Sequence, residues 1–253
     1  MRALRAEFTK LFTTRLWLWL ILVVVAITGS LVALIITTAV DPSSVSDPEA
    51  EVVAFTVNLS PIAYLVSVIT GIIGITGEFR HQTITPTVLS TPHRPVAVAA
   101  KLLVHLLFGA LLGAIFVFVL AGTGAVLLAG QDISVSLSDP TVMHAMWGSV
   151  LVCGLFGVLG IGIGTLLRNQ VAAVVTVVLY LLMVENILLT IRHVRDAYPY
   201  LPGGAARGLL LDGGTSLAGG DLLGSGQATL VLAVWALGLA LLGSFLTLGR
   251  DIS

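Results

Sequence analysis

Six long apolar stretches constrain this chain more than any other feature of its sequence. A helix needs about 20 mostly apolar residues to cross the hydrocarbon core of a bilayer, whereas the strands of a membrane barrel alternate apolar and polar residues over about 10 positions. These stretches are long and do not alternate, so we predict one all-α integral membrane domain over residues 1–253. The expected spans cover about 17–40, 59–77, 97–129, 146–167, 170–191 and 228–248.

The composition agrees with a membrane protein and excludes several soluble classes. Charged residues make up 10% of the chain and apolar residues 57%, while a water-soluble domain carries about 25% charged residues. A secretory signal peptide is one alternative for the first stretch. Its apolar core would hold only about 7 to 15 residues, so we interpret the longer run from Leu16 to Val40 as a retained span.

The distribution of basic residues predicts the orientation, because short cytoplasmic loops are enriched in Lys and Arg. With the N-terminus inside, nine of the twelve basic residues face the cytoplasm. The sequence therefore predicts a multi-pass protein of the plasma membrane with both termini cytoplasmic. The nine residues are Arg2, Arg5, Lys10, Arg15, Arg80, Arg94, Lys101, Arg168 and Arg250.

The loop between the second and third spans carries the signals of a very short helix. Thr85 followed by Pro86 is a typical helix start, with Thr83 as an alternative cap. Thr91 and Pro92 end the helix, because the residue before a proline disfavours the α conformation. A helix of one or two turns is not stable alone in water. It therefore needs a partner surface, unless the segment is a solvated loop whose basic residues only set the topology.

The order of elements resembles the membrane subunit of type-2 ABC exporters over essentially the whole chain. The sequence GEFRHQTITPTVLSTPHRPVAVAAK after the second span carries the resemblance most specifically. It implies that residues 1–15 form a connecting helix along the inner membrane surface, and that residues of about 83–92 form a coupling helix that docks onto an ATPase. The implied coupling residues are Glu78, Arg80, Thr83, Thr85, Pro86, Leu89, Thr91 and Pro92.

The same resemblance implies an extracellular segment that closes the exit, between the fifth and sixth spans. In YPYLPGGAARGLL, a re-entrant or short helical element would begin at Tyr200, Leu201 and Pro202. Glu185 lies inside the fifth span, where a carboxylate is costly and tends to face a cavity or a partner. We leave two roles open for it, a local ion pair with Arg192 or contact with a cationic cargo on the substrate route.

Two further features concern packing in the bundle. Glycines at spacings of three and four allow close approach of membrane helices, and we favour packing within the chain over dimerisation. The third stretch is too long for one simple span, so we expect Lys101 and His105 near the inner interface, where the lysine can extend toward water. The glycines are Gly109 with Gly113, Gly160 with Gly164, and the series Gly154, Gly157 and Gly160.

Together these features predict a permease subunit of an ABC exporter that moves an amphipathic small molecule, such as a drug or antibiotic, outward. The chain has no Walker A motif and no HExxH motif, so we expect no enzyme site, metal site or cofactor of its own. The expected partners are an ABC ATPase that binds ATP and Mg²⁺, a second identical or related permease, and the lipid bilayer, but not nucleic acid. The alternative is a membrane-embedded regulatory, immunity or anchoring subunit without transport activity.

Overall fold

The computed structural model describes residues 2–43, 45–80, 94–191, 195–214 and 220–248, and all regular structure in these ranges is helical. The fifth span, Gln170–Leu189, is continuous and contains a π turn. The elements are α1 (Arg2–Thr13), α2 (Leu16–Thr38), α3 (Pro48–Arg80), α4 (Arg94–Ala129), α5 (Pro140–Leu167), α6 (Gln170–Leu179), the π turn (Tyr180–Val184), α7 (Glu185–Thr190), the 3₁₀ turn (Arg195–Tyr200), α8 (Pro202–Leu211) and α9 (Ser225–Leu248).

Six helical segments in the described ranges are long and apolar enough to cross a membrane. The predicted all-α class and the predicted multi-pass character are therefore confirmed. The segments are Leu16–Thr38, Pro48–Arg80, Val96–Ala129, Pro140–Leu167, Gln170–Leu189 and Ser225–Ser244.

Helix α5 is the centre of the bundle. Within its most apolar window 67% of the residues are buried, against 22% for α2, and it packs on α3, α4 and α9. Its glycines lie directly on neighbouring backbones: a Cβ on Gly157 would overlap the His105 carbonyl, and one on Gly160 would overlap the Val68 carbonyl. These glycines pack helices within the chain, because small residues let membrane helices approach closely.

Helix α3 extends beyond its apolar stretch at both ends. It begins at Pro48 with Glu49 and Glu51 in its first turn, where carboxylates interact favourably with the positive end of the helix dipole. Hydropathy detects only the apolar middle of such a helix. Glu49 also accepts a hydrogen bond of 3.0 Å from the backbone N–H of Ser136, and this bond ties the start of α3 to the α4–α5 connection.

The opposite end of α3 is held against the short turn between α5 and α6. Arg168, with a φ of 52°, ends α5 in the left-handed region, and its guanidinium lies 5.7 Å from the ring centroid of Phe79. Asn169 then caps α6 through a bond of 3.1 Å from the Ala172 N–H. The end of α3, the end of α5 and the start of α6 therefore meet at one end of the bundle, which we call the charged end.

Helix α1 lies against α4 at the charged end. The Phe12 and Phe108 rings meet edge to face with centroids 6.2 Å apart. Helix α4 has 36 residues, a length of about 54 Å at 1.5 Å per residue, against a hydrocarbon core of about 30 Å. Part of α4 therefore extends past the core, as expected, but Lys101 does not reach toward water. It is buried under α1 with 8% of its surface exposed, because two carboxylates hold it there.

Candidate functional site

Four side chains from three helices form a closed network of ion pairs at the charged end, which we call the charge cluster. Lys101 Nζ lies 2.7 Å from Glu7 Oε2 and 2.7 Å from Glu78 Oε1. Lys10 Nζ lies 2.7 Å from Glu7 Oε1 and 2.8 Å from Glu78 Oε1. Each lysine thus bridges both carboxylates, and the four charges cancel.

The pKa values of Glu7 and Lys10, the two cluster residues on α1, reflect this pairing. Burial raises the pKa of Glu7, but the attraction of Lys101 and hydrogen bonds from both lysines outweigh it, so the pKa lies below its usual value. Burial likewise opposes the charge of Lys10, and hydrogen bonds to Glu7 and Glu78 outweigh it, so its pKa is raised. Both residues therefore stay charged at neutral pH, and their ion pairs anchor α1.

The charge cluster joins the ends of the two helices that bracket residues 81–93. Glu78 lies in the last turn of α3, and Lys101 lies two turns into α4. Helix α1 supplies the other two charges and contacts both. A displacement of either bracketing helix must therefore move α1 or separate buried opposite charges, which is strongly unfavourable.

The proposed coupling residues divide into two groups in the structure. Glu78 is buried in the charge cluster, whereas Arg80 is exposed at the last position of α3. The other six lie outside the described residues: Thr83, Thr85, Pro86, Leu89, Thr91 and Pro92.

A second carboxylate is buried at the opposite end of the bundle, which we call the α8 end. Glu185 follows the π turn and is 3% exposed. Its Oε1 accepts a hydrogen bond of 3.1 Å from the Gly203 N–H. Glu185 therefore sits at the N-terminus of α8, where unpaired N–H groups and the helix dipole favour a negative charge.

Glycine is required for that contact. A Cβ on Gly203 would overlap the Glu185 carboxylate, and one on Gly204 would overlap the Tyr198 carbonyl. The two glycines directly follow Pro202, the first residue of α8. The sequence Pro-Gly-Gly thus starts the helix and leaves room for a buried side chain to reach its N–H groups.

The three gate candidates lie where the 3₁₀ turn passes into α8, and each has a different environment. Tyr200 is exposed, and its carbonyl accepts a hydrogen bond of 2.9 Å from the Trp235 indole. Leu201 occupies the capping position in an extended conformation. Pro202 is buried. Glu185 and these residues therefore meet at the start of α8, while Arg192 lies outside the described residues.

Side-chain bonds anchor the remainder of α8 to the bundle. Arg207 Nη2 donates to Asn58 Oδ1 of α3 at 2.8 Å. The imidazole of His144 on α5 bonds the Leu209 carbonyl near the C-terminus of α8 at 2.8 Å. Helix α8 is thus held at both ends, by Glu185 and by His144, and alongside α3.

Sequence reasoning missed Glu7, Lys10 as an ion-pair partner, and Gly203. A signal for Glu7 was available, since Glu7 and Glu78 are acidic residues on the side to which the basic residues sort. An acidic residue on the same side of the membrane as most of the basic residues is a candidate for an ion pair. Gly203 had no such signal, because its role depends on a side chain 18 positions away.

Among the described residues, no three His, Cys, Asp or Glu side chains are grouped to hold a metal ion. No family model matches the sequence, and no curated protein matches it either.

Proposed function

We propose that this chain is the permease subunit of an ABC exporter, and that it moves an amphipathic small molecule outward with energy from a separate ATPase. The observation that carries the proposal is the charge cluster. It connects α1 to the helix ends on both sides of residues 81–93, the segment whose sequence resembles a coupling helix. A surface pushed by a partner needs such a rigid link into the spans.

In the proposed mechanism, two permeases pair with two ATPases, and closure of the ATPases pushes on the short helix at residues 85–90. Helices α3 and α4 receive the push because they flank that helix. The charge cluster makes α1 move with them. The resulting rigid-body motion switches a cavity between the permeases from inward-facing to outward-facing, with both termini in the cytoplasm.

The α8 end would form the exit in this mechanism. Tyr200, Leu201 and Pro202 lead into a helix that Glu185 holds through the Gly203 N–H. Loss or weakening of that contact loosens the start of α8, while the contact of His144 with the Leu209 carbonyl keeps its far end in place. The exit would therefore open by movement of the start of α8 about its far end. Glu185 acts in this scheme as a positioning residue and not as a cargo ligand.

Co-expression with a candidate ABC ATPase tests the proposal. We expect Leu89→Asp to reduce co-purification, because it places a charge on the docking surface. We expect Glu78→Gln to preserve co-purification but to reduce cargo-stimulated ATP hydrolysis in proteoliposomes, because it weakens the link to α1. Glu51→Gln, at the other end of α3, is the matched control for the loss of one carboxylate.

Three outcomes separate the alternatives. Normal assembly and normal coupling in both variants contradict a docking role for this loop. Stable assembly of the unaltered chain without export of any amphipathic probe favours a regulatory or anchoring subunit. A gene for a Walker A ATPase next to this one supports the transport proposal, and the lack of such a gene favours the alternative.

A further inference from the structure

Three arginines at the charged end have no ion-pair partner among the described residues. Arg5 is exposed on α1, Arg15 is exposed in the turn between α1 and α2, and Arg80 is exposed at the end of α3. The salt bridges of the described residues all lie within the charge cluster, whose charges cancel. The described part of this end therefore presents a net positive charge to its surroundings.

The exposed apolar face of α2 begins directly at one of these arginines. Arg15 precedes α2 with helical backbone angles, so Arg15, Trp19 and Leu22 share one helix face at positions i, i+4 and i+7. Trp19 is 64% exposed, and Leu22 is also exposed. Only 22% of the most apolar window of α2 is buried, so this face is open to the hydrocarbon. A positive charge thus lies one turn above an exposed tryptophan and an apolar stripe.

Contacts on both sides of Arg15 hold its backbone against the bundle. The indole N–H of Trp17 donates to the Phe12 carbonyl at 3.3 Å, and the two rings meet edge to face with centroids 5.1 Å apart. Phe12 also contacts Phe108 of α4. The turn that carries Arg15 is therefore fixed in place before anything binds, which lowers the entropy cost of binding.

The opposite end of the bundle has the reverse arrangement. On α5, Trp147 is 67% exposed and Met143, one turn before it, is exposed as well. Asp139, one further turn back, is exposed and caps the helix. Hydrogen bonds from Thr141 lower the pKa of Asp139, so it is ionised at neutral pH. The two most exposed tryptophans of the described residues therefore lie beside charges of opposite sign.

We propose that Arg15, Trp19 and Leu22 form a binding surface for an anionic phospholipid of the leaflet at the charged end. The phosphate lies at Arg15, the indole of Trp19 lies at head-group depth, where tryptophan is enriched, and the chain follows Leu22. Charge complementarity selects an anionic over a neutral phospholipid. The surface needs neither an ATPase nor a cargo, so the inference goes beyond the export proposal.

A lipid fits this surface better than a protein partner does. An acidic protein that approached from the water would meet the arginines, but it would not cover an apolar face that continues along a span. A second copy of this chain would cover that face, but it would leave the charge of Arg15 without a partner. An anionic phospholipid satisfies both parts of the surface at once.

Tryptophan quenching in the full chain tests the surface. The protein is placed in phosphatidylcholine nanodiscs that contain a minor share of brominated phospholipid, either phosphatidylglycerol or phosphatidylcholine, whose bromines quench tryptophan on contact. The emission of Trp19 is the difference between the unaltered chain and Trp19→Phe, and that of Trp147 is obtained from Trp147→Phe. We expect anionic lipid to occupy the Trp19 surface about fivefold more readily than neutral lipid, the ratio that about 1 kcal/mol per basic residue produces. Trp147 should show no preference for the anionic lipid.

Variants of the protein and salt identify the source of the preference. Arg15→Gln should abolish it, and Arg15→Lys should keep it, because a positive charge is sufficient. Arg80→Gln is the matched control, since Arg80 is exposed at the same end but has the buried Thr76 and the half-buried Ile73 one and two turns before it. Raising the salt from about 0.1 M to 1 M shortens the screening length from about 10 Å to about 3 Å and should weaken the preference at Trp19.

Each contrary result overturns the inference. Equal quenching of Trp19 by the two lipids refutes the selection of an anionic head group. Quenching by neither lipid means that a protein surface, such as a second copy, covers this face. An equal anionic preference at Trp147, or an unchanged preference in Arg15→Gln, means that Arg15 does not cause it. None of these measurements depends on ATPase coupling, so a failure here leaves the export proposal standing.

Discussion

The two ends of the bundle bury carboxylates in different ways. At the charged end, Glu7 and Glu78 are neutralised by lysine side chains from two helices. At the α8 end, Glu185 is held by a backbone N–H at the start of a single helix. The first arrangement uses full opposite charges, and the second uses backbone N–H groups with a partial positive charge.

The difference determines what each end can transmit. Ion pairs at 2.7–2.8 Å join three helices, so the charged end behaves as one unit under load. Glu185 holds the start of α8 through a backbone hydrogen bond of 3.1 Å, and such a bond contributes only about 1.5–3 kcal/mol even when it is charge-assisted. The comparison therefore predicts a stiff end that receives force and a weaker contact that can open.

The largest effect is expected from Lys101→Met at the charged end. The substitution leaves two buried carboxylates facing each other with only Lys10 between them. Removing one partner of a buried ion pair costs about 3–5 kcal/mol, which corresponds to a fall in Tm of about 10 °C for a chain of this size. Thermal unfolding of the purified protein in detergent measures the change.

Two further variants check the cause of that fall. Lys10→Met should cost much less, because its side chain is 41% exposed and exposed ion pairs contribute little. The double variant Lys101→Met with Glu78→Gln should recover part of the lost Tm, since it removes one uncompensated charge. Equal costs for the two lysines contradict the expectation that the buried Lys101 contributes more than the partly exposed Lys10.

The next effect is expected from Gly203→Ala at the α8 end. The new Cβ overlaps the Glu185 carboxylate, and overpacking of this kind costs about 1–3 kcal/mol. Unfolding in detergent again reports the loss. Gly226→Ala, early in α9, is the control because its Cβ would meet nothing within 4 Å. If both alanine variants have the same Tm, the contact between Gly203 and Glu185 does not stabilise α8.

A smaller effect is expected from Glu185→Gln. Glutamine keeps a carbonyl oxygen that accepts from Gly203, so only the charge-assisted part of the bond is lost, about 1 kcal/mol. Glu7→Gln in the charge cluster should cost more, since it leaves Lys101 with one carboxylate instead of two. If Glu185→Gln loses more stability than Glu7→Gln in the same unfolding assay, the α8 end is the more strongly held of the two, which contradicts the comparison.

The smallest effect is local and depends on pH. The pKa of Glu7 is lowered in the folded protein, so its contribution is present above the unfolded pKa and disappears as the pH falls through the folded value, below the usual 4.5. A bimane attached at Thr9→Cys should therefore keep its emission from neutral pH down to about the usual pKa of a glutamate and shift only below it. The same label at Gln227→Cys, at the α8 end, should not shift, and a change near neutral pH would show that Glu7 does not anchor α1.

The membrane character and the helical class followed from the sequence, because spanning length and hydropathy are local properties. The ends of the helices were predicted less accurately from the sequence. The apolar stretch at 59–77 lies inside a helix that begins at Pro48 and ends at Arg80, since polar residues extend a helix without adding to its hydropathy. The role of residues 83–92 stays a prediction that rests on the sequence alone.

The candidate sites were visible only in part. Glu185 stood out as a carboxylate inside a span, and Glu78 was named as a coupling residue by the resemblance, but the partners of neither residue were foreseen. Lys101 was expected to reach toward water, and instead it binds Glu7, which lies 94 positions away in the chain. The sequence placed Lys101 at the membrane surface, but it could not show that α1 covers the residue there.

The sequence by itself therefore determined which segments can enter a membrane, that these segments are helices, and that Glu185 inside a span requires a partner. The tertiary structure decided which partner each charge has. For Glu78 it is a pair of lysines, and for Glu185 it is the N-terminus of α8. The physical reason is that the cost of burying a polar group is set by its own chemistry, whereas the group that offsets it depends on which helices pack together.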